Sequence, residues 1–159
     1  MDIIDSLLEG HGKLRNSLVF LTALLERPNG AGWDDRATMS PERFTRELNG
    51  FFAAFKAHEA MEDAYLIRVL DQIGMSPEIL EAIAEGHRAV AEMTKLFGAV
   101  AVSGDGEHVY RLRTVLARLR EELETHMAYE EKVVFPKMRA STPAGLLREL
   151  GRRARILAA

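Results

Sequence analysis

Apolar residues recur along this chain at a spacing near 3.5, in four long runs separated by turn and cap residues. The first predicted helix starts at about Asp2, an N-cap residue, and ends at about Glu26, where Arg27-Pro28-Asn29-Gly30-Ala31-Gly32 stops it. A polar loop continues to Ser40. Ser40-Pro41-Glu42 joins a cap to a proline at the first helical position and opens a second helix that runs to about Ile73, closed by Gly74. Ser76-Pro77-Glu78 repeats the start signal, and a third helix runs to about Val102. After the turn Ser103-Gly104-Asp105-Gly106 a fourth helix runs to about Arg139, with Pro136 expected to kink or fray it. Ser141-Thr142-Pro143 opens a short fifth helix to about Leu157. No segment sustains period-two alternation, so no sheet is expected. Four long helices with short connections imply an all-α fold: an antiparallel up-down four-helix bundle with a short extra C-terminal helix, one domain over residues 1–159.

The core seams follow from the same spacing. They read Ile4, Leu7, His11, Leu14, Leu18, Leu21, Leu25 on the first helix and Phe44, Leu48, Phe51, Phe55, His58, Glu62, Tyr65, Val69 on the second. On the third they read Leu80, Ile83, His87, Val90, Thr94, Phe97, and on the fourth Val109, Leu112, Leu116, Leu119, Leu123, His126, Glu130, Val133. Each seam therefore carries one histidine, and two seams add a glutamate four residues later. At ~1.5 Å per residue, the six polar side chains fall within a slab of about 9 Å. Residues four apart share a helix face, so each His-x3-Glu pair aims a nitrogen and a carboxylate at one point.

A lone seam histidine is more often a hydrogen-bonded core residue than a ligand, and a lone His-x3-Glu is a common surface pair. The combination is different. An ionised carboxylate in an apolar core costs many kcal/mol or loses its charge, and two of them at the level of four imidazoles share one economical explanation, a bound cation. His108, off the seam and distant along the axis, is expected to be exposed. A short echo runs through the two halves: Glu9-Gly10-His11 precedes His58-x3-Glu62, and Glu85-Gly86-His87 precedes His126-x3-Glu130. It points to a pseudo-twofold site.

Composition narrows the chemistry. The chain has no cysteine, which excludes disulfides, thiolate sites, Fe–S clusters and cysteine nucleophiles, so a metal must be held by nitrogen and oxygen. Of the 159 residues, 47% are hydrophobic and 28% charged, the balance of a soluble globular protein. A net charge of −3 favours neither nucleic acid nor an anionic membrane as a partner. The acidic N-terminus lacks the basic region of a signal peptide and no apolar run is long enough to span a bilayer, so the cytoplasm is the expected location.

Imidazole with carboxylate suits iron, manganese or zinc. Four histidines and two glutamates exceed what one tetrahedral zinc needs and fit two six-coordinate metals. Each would take two imidazoles, both glutamates would bridge, and a solvent-derived oxo or hydroxo bridge would leave one open position per metal. Neither Glu-x-x-His nor His-Glu-x-x-His occurs, which argues against ferritin-like and zincin sites.

The order His11, His58-Glu59-x2-Glu62, His87, His126-x3-Glu130-Glu131, with Val134-Phe135-Pro136 downstream, resembles the hemerythrin-like HHE cation-binding domain over nearly the whole chain. The resemblance implies a bundle around two non-haem iron ions, with His11, His58, Glu62, His87, His126 and Glu130 as ligands and manganese or zinc as possible substitutes. Oxygen-carrying members place a fifth histidine four residues after that of the third helix, where this chain has Ala91, and set the last carboxylate five residues beyond its histidine rather than four. The set is more similar to that of members that repair iron centres or sense iron and oxygen. The expected partner is a small diatomic or peroxide ligand, in sensing, stress response or iron-centre protection. The alternatives are a peroxide-consuming redox enzyme and a metal-stabilised bundle that docks a protein partner. Tyr65 and Tyr129 stand near the site and could supply a phenol there, although core tyrosines are commoner. The Arg148, Arg152, Arg153, Arg155 cluster reads as a solvated face.

Overall fold

The computed structural model describes residues 1–25, 41–101 and 108–157, the side chains at 41, 42, 99–101, 108, 109 and 157 excepted. The expectations for the 26–40 loop, the 103–106 turn and the side chains of His108 and Val109 lie outside these residues. Five helices are described: α1 (Ile3–Leu25), α2 (41–72), α3 (Pro77–Ala101), α4 (108–141) and α5 (Ala144–Leu157). No strand occurs among the described residues.

The ends follow the local chemistry. At the start of α1 the Asp5 amide donates to Asp2 Oδ1 and the Asp2 amide to Asp5 Oδ2, both at 2.9 Å, a reciprocal capping box. At the end of α2, Gly74 takes φ +67°, with Met75 N donating to Leu70 O at 2.9 Å and Gly74 N to Asp71 O at 3.1 Å. That pattern is a Schellman motif, and the glycine is there because left-handed φ is costly for other residues.

Two apolar clusters fill the bundle. One joins Leu14–Leu25 of α1 with Phe44–Phe55 of α2, Val90–Phe97 of α3 and Leu112–Met127 of α4. The other joins Ile3–Leu7, Leu66–Leu70, Ile79–Ile83 and Val134–Met138, and is closed by Leu147 and Ala154 of α5. Low numbers on α1 and α3 thus meet high numbers on α2 and α4, which fixes the up-down antiparallel arrangement. α5 packs on α1. Its Gly151 stands so close to the Asp2–Ile3 backbone that a Cβ there would lie 2.6 Å from the Asp2 carbonyl carbon.

The seams hold with instructive exceptions. Both α2 and α4 contain a π turn, Glu62–Ile67 and Glu130–Val134, and each begins on a seam glutamate. A π turn carries one more residue than an α turn, so the seam slips by one beyond it. Leu66 and Val134 are therefore fully buried where Tyr65 and Val133 were expected, and those two are only half-buried. Pro136 follows the second π turn, in the first turn of the α segment Phe135–Ser141, where a missing N–H costs least. The helix does not fray there; the irregularity lies upstream, in the π turn. On α3, Met93 and Ile79 are buried in preference to Thr94 and Leu80, the drift of a 3.6-residue helix against a 3.5 repeat.

Candidate metal centre

The six predicted side chains form a polar layer between the two apolar clusters. His11, Glu62 and Glu130 are 0% exposed, and His58 and His126 are buried. His87 is the one half-buried member, at 16% side-chain exposure. The fold positions all six because each seam places its polar member at the same depth. The π turns then carry the chain beyond Glu62 and Glu130 in a changed register.

Ligand-capable atoms form two overlapping groups. Those of His11, His58, Glu62 and Glu130 all lie within 4.8 Å of one another, and so do those of Glu62, His87, His126 and Glu130. Both carboxylates belong to both groups. Glu62 Oε1 is 2.8 Å from His58 Nε2 and 3.9 Å from His11 Nε2, whereas Oε2 is 2.9 Å from His87 Nε2. Glu130 Oε2 is 3.1 Å from His11 Nε2, whereas Oε1 is 3.7 Å from His126 Nε2. Each carboxylate thus offers one oxygen to each half.

These contacts are short yet mostly not hydrogen bonds. Nε2 of His11, His58 and His126, Oε1 of Glu62 and both oxygens of Glu130 have no hydrogen-bond partner in spite of their proximity. Leaving one buried polar atom unsatisfied costs about 1–3 kcal/mol, and the native state of an ordinary core does not gather six of them. Ligand atoms about 2.1 Å from a shared cation at right angles stand about 3 Å apart, and the His58–Glu62, His87–Glu62 and His11–Glu130 contacts have that spacing, whereas His126–Glu130 and His11–Glu62 are wider at 3.7 and 3.9 Å. The donor set therefore fits a metal on geometry as well as on ligand type.

The histidines also stand in matched pairs. His11 and His58 meet edge-on at 4.9 Å between ring centroids, and His87 and His126 at 4.8 Å. The glycine before the first histidine of each pair makes room for the second. A Cβ on Gly10 would lie 2.6 Å from His58 Nδ1, and one on Gly86 would collide with the His126 ring. The Glu-Gly-His echo in the sequence thus has a steric meaning.

Without a cation the layer is electrostatically strained. Burial disfavours charge on His11, yet the Glu130, Glu62 and Glu131 carboxylates outweigh it and hold the imidazole up at about 9. Burial pushes Glu130 up to about 7, with Glu62 adding to the rise and His11 opposing it. Burial also opposes ionisation of Glu62, but contacts with His11, His58 and His87 keep it well below the usual carboxylate range. Burial drives His126 down to about 4. A cation would relieve these conflicts together, because it takes neutral imidazoles and ionised carboxylates.

Residues 78–157 match the hemerythrin HHE cation-binding domain. The chain belongs to that family. The hemerythrin-type match covers His87, His126 and Glu130; His11, His58 and Glu62 lie upstream of it, and the fold brings them into the same layer. No curated protein matches the chain, and no solved structure does. Family and cluster agree on a metal-binding protein of the hemerythrin type. No described helix is long and apolar enough to cross a membrane.

Further residues surround the hemerythrin-type layer. Glu131 Oε1 lies 2.8 Å from His11 Nδ1 and accepts from Arg15 Nη1 at 2.7 Å. Arg15 also grips both oxygens of Glu124, at 2.9 and 3.0 Å. The sequence hints at Glu131 only through the doubled Glu130-Glu131; Arg15 and Glu124 carry no linear signal, because they meet across two helices. Phe135 stacks on His11 at 5.6 Å. Tyr65 and Tyr129 pack against the lower apolar cluster, and neither hydroxyl bonds to the six site residues. Arg148, Arg152, Arg153 and Arg155 are exposed as expected, with Arg152 and Arg153 paired to Glu149.

Proposed function

We propose that the 159 residues form one hemerythrin-type domain holding two iron ions. His11 and His58 serve one ion, His87 and His126 the other, and Glu62 and Glu130 serve both. The observation that carries this reading is the overlap of the two donor groups in both carboxylates, each with one oxygen turned to each half. The chemistry such a pair would supply there is binding of, or electron exchange with, a small molecule such as O2, peroxide or NO. The chain's own contribution is to gather four imidazoles and two carboxylates in a layer bounded above and below by apolar clusters, with only His87 partly open to solvent. Ala91, where oxygen carriers have a fifth histidine, supports a role in sensing, stress response or iron-centre protection.

The test is to load the metal-free protein with ferrous iron in air, then measure iron per chain and the absorption spectrum. About two irons per chain, with charge-transfer bands of a coupled di-ferric pair, are expected. One iron or none, with no such bands, sinks the reading. Peroxide turnover above that of free iron would make the protein a redox enzyme.

A further inference from the structure

The two halves of the layer match in their donors and differ in what stands behind them. Behind His11, Nδ1 meets Glu131, and that carboxylate is clamped by Arg15, which is itself held by Glu124. The relay ties α1 to α4 and leaves His11 0% exposed under the Phe135 ring.

The pseudo-twofold counterparts are missing behind His87. The position four residues after His11 is Arg15; the position four after His87 is Ala91. The residue after Glu130 is Glu131; the residue after Glu62 is Asp63, which is exposed. The nearest carboxylate to His87 Nδ1 is Glu59, whose Oε1 is 4.0 Å away, beyond hydrogen-bond reach. His87 is also the half-buried member of the layer.

A metal-bound imidazole works best when its second nitrogen donates to a fixed acceptor. That bond sets the tautomer, aims the ring and raises ligand basicity. Arg15 adds rigidity one step further out, because a guanidinium gripped by two carboxylates is confined to one geometry. His11 therefore has its outer nitrogen held before any metal arrives, whereas His87 touches only Glu62 through its inner nitrogen and has no fixed acceptor on the outer one.

We propose that Glu131 and Arg15 are positioning residues that make the two halves unequal. The His11–His58 half is the tight subsite, filled first and retained. The His87–His126 half is the exchangeable subsite, filled second and emptied first. The inference rests on the two-metal reading above.

Cobalt(II) titration of the metal-free full chain, followed by visible absorption and by metal retained after dialysis against a weak chelator, tests it. The wild type should bind in two steps at least about tenfold apart, the expected scale of an outer-partner effect. Glu131→Gln and Arg15→Gln should weaken the first step by about 10–100-fold and leave the second unchanged. Glu59→Gln should leave the first step unchanged. All three positions are partly exposed, and circular dichroism of the metal-free variants checks that they fold. A merely structural role for Arg15 or Glu131 would weaken both steps alike, and that result overturns the proposal, as would two equal steps in the wild type. Binding of one cobalt or none by the wild type overturns the two-metal reading itself.

Discussion

Gly10 stands against His58 so closely that any Cβ at that position would lie 2.6 Å from the ring's Nδ1. The His58 ring is buried and cannot move aside without leaving the donor layer. Gly10→Ala should therefore displace it, and Gly86→Ala should displace His126 in the other half. Metal content measured on purified protein should fall in both variants. Gly12, two residues further along α1, has nothing within 4 Å of a built Cβ. Gly12→Ala should keep full metal content and gain about 0.5–1 kcal/mol, the usual helix benefit of alanine over glycine. Equal metal content in all three would remove the steric role of the two glycines.

The shared carboxylates make a second contrast. His58→Ala removes a donor from one half only and should leave about half the bound metal. Glu62→Ala or Glu130→Ala removes a donor from both halves and should lose most of it. Retention of two tightly bound irons by both glutamate variants would falsify their assignment as bridges.

Glu130 also sets function against stability. Burial pushes its carboxyl up to about 7, so above that value the metal-free fold holds an ill-compensated charge. Glu130→Gln removes the charge and nearly keeps the shape. The metal-free variant should melt higher than the metal-free wild type by an amount equivalent to about 1–3 kcal/mol at pH 8, while losing metal affinity. Thermal unfolding with and without added zinc checks both parts.

The pH dependence of the metal-free protein follows from His11. Its imidazole sits at about 9 against an ordinary value of 6.5, because the surrounding carboxylates outweigh the opposing effect of burial. The native state thus holds a proton that the unfolded chain releases. The stability from this group is complete below 6.5 and is lost as pH rises through 9. His87 shifts in the same direction, and Glu130 adds to the loss near the lower end. The melting temperature of the metal-free protein should fall between about pH 7 and about pH 9, whereas the loaded protein, whose ligands are already deprotonated, should be nearly flat. A flat profile for the metal-free form would show that His11 carries no such proton.

Metal that binds only the native state stabilises it by about 2.7 kcal/mol at a free concentration 100-fold above Kd. For a chain of this size that is a rise of roughly 5–10 °C in melting temperature. Removal by chelator should reverse it, and readdition restore it, in a calorimetric scan.

The gathering of these six side chains in one layer was readable in the sequence because glutamate and histidine are conspicuous in seams of leucine, valine and phenylalanine, and because their depth follows from counting residues. The helix ends were readable for a similar reason: Pro41, Pro77 and Gly74 act locally. The π turns were not readable. No residue type marks them, and they appear only once Leu66 and Val134, rather than Tyr65 and Val133, are found in the core. Arg15 and Glu131 were hidden for a different reason. On a helical wheel they are ordinary surface charges, and their meeting is decided by how α1 and α4 lie together.

The donor layer is one set of instructions written twice, a Gly-His on one helix and a His-x3-Glu on the next. Two copies of a single helical hairpin, paired about a twofold axis, would present the same six donors. Such a homodimer could never give one half an Arg15 and the other an Ala91, because every change would be made in both places at once. Joining the hairpins in one chain allows each half its own surroundings, and the relay behind His11 stands in one half alone.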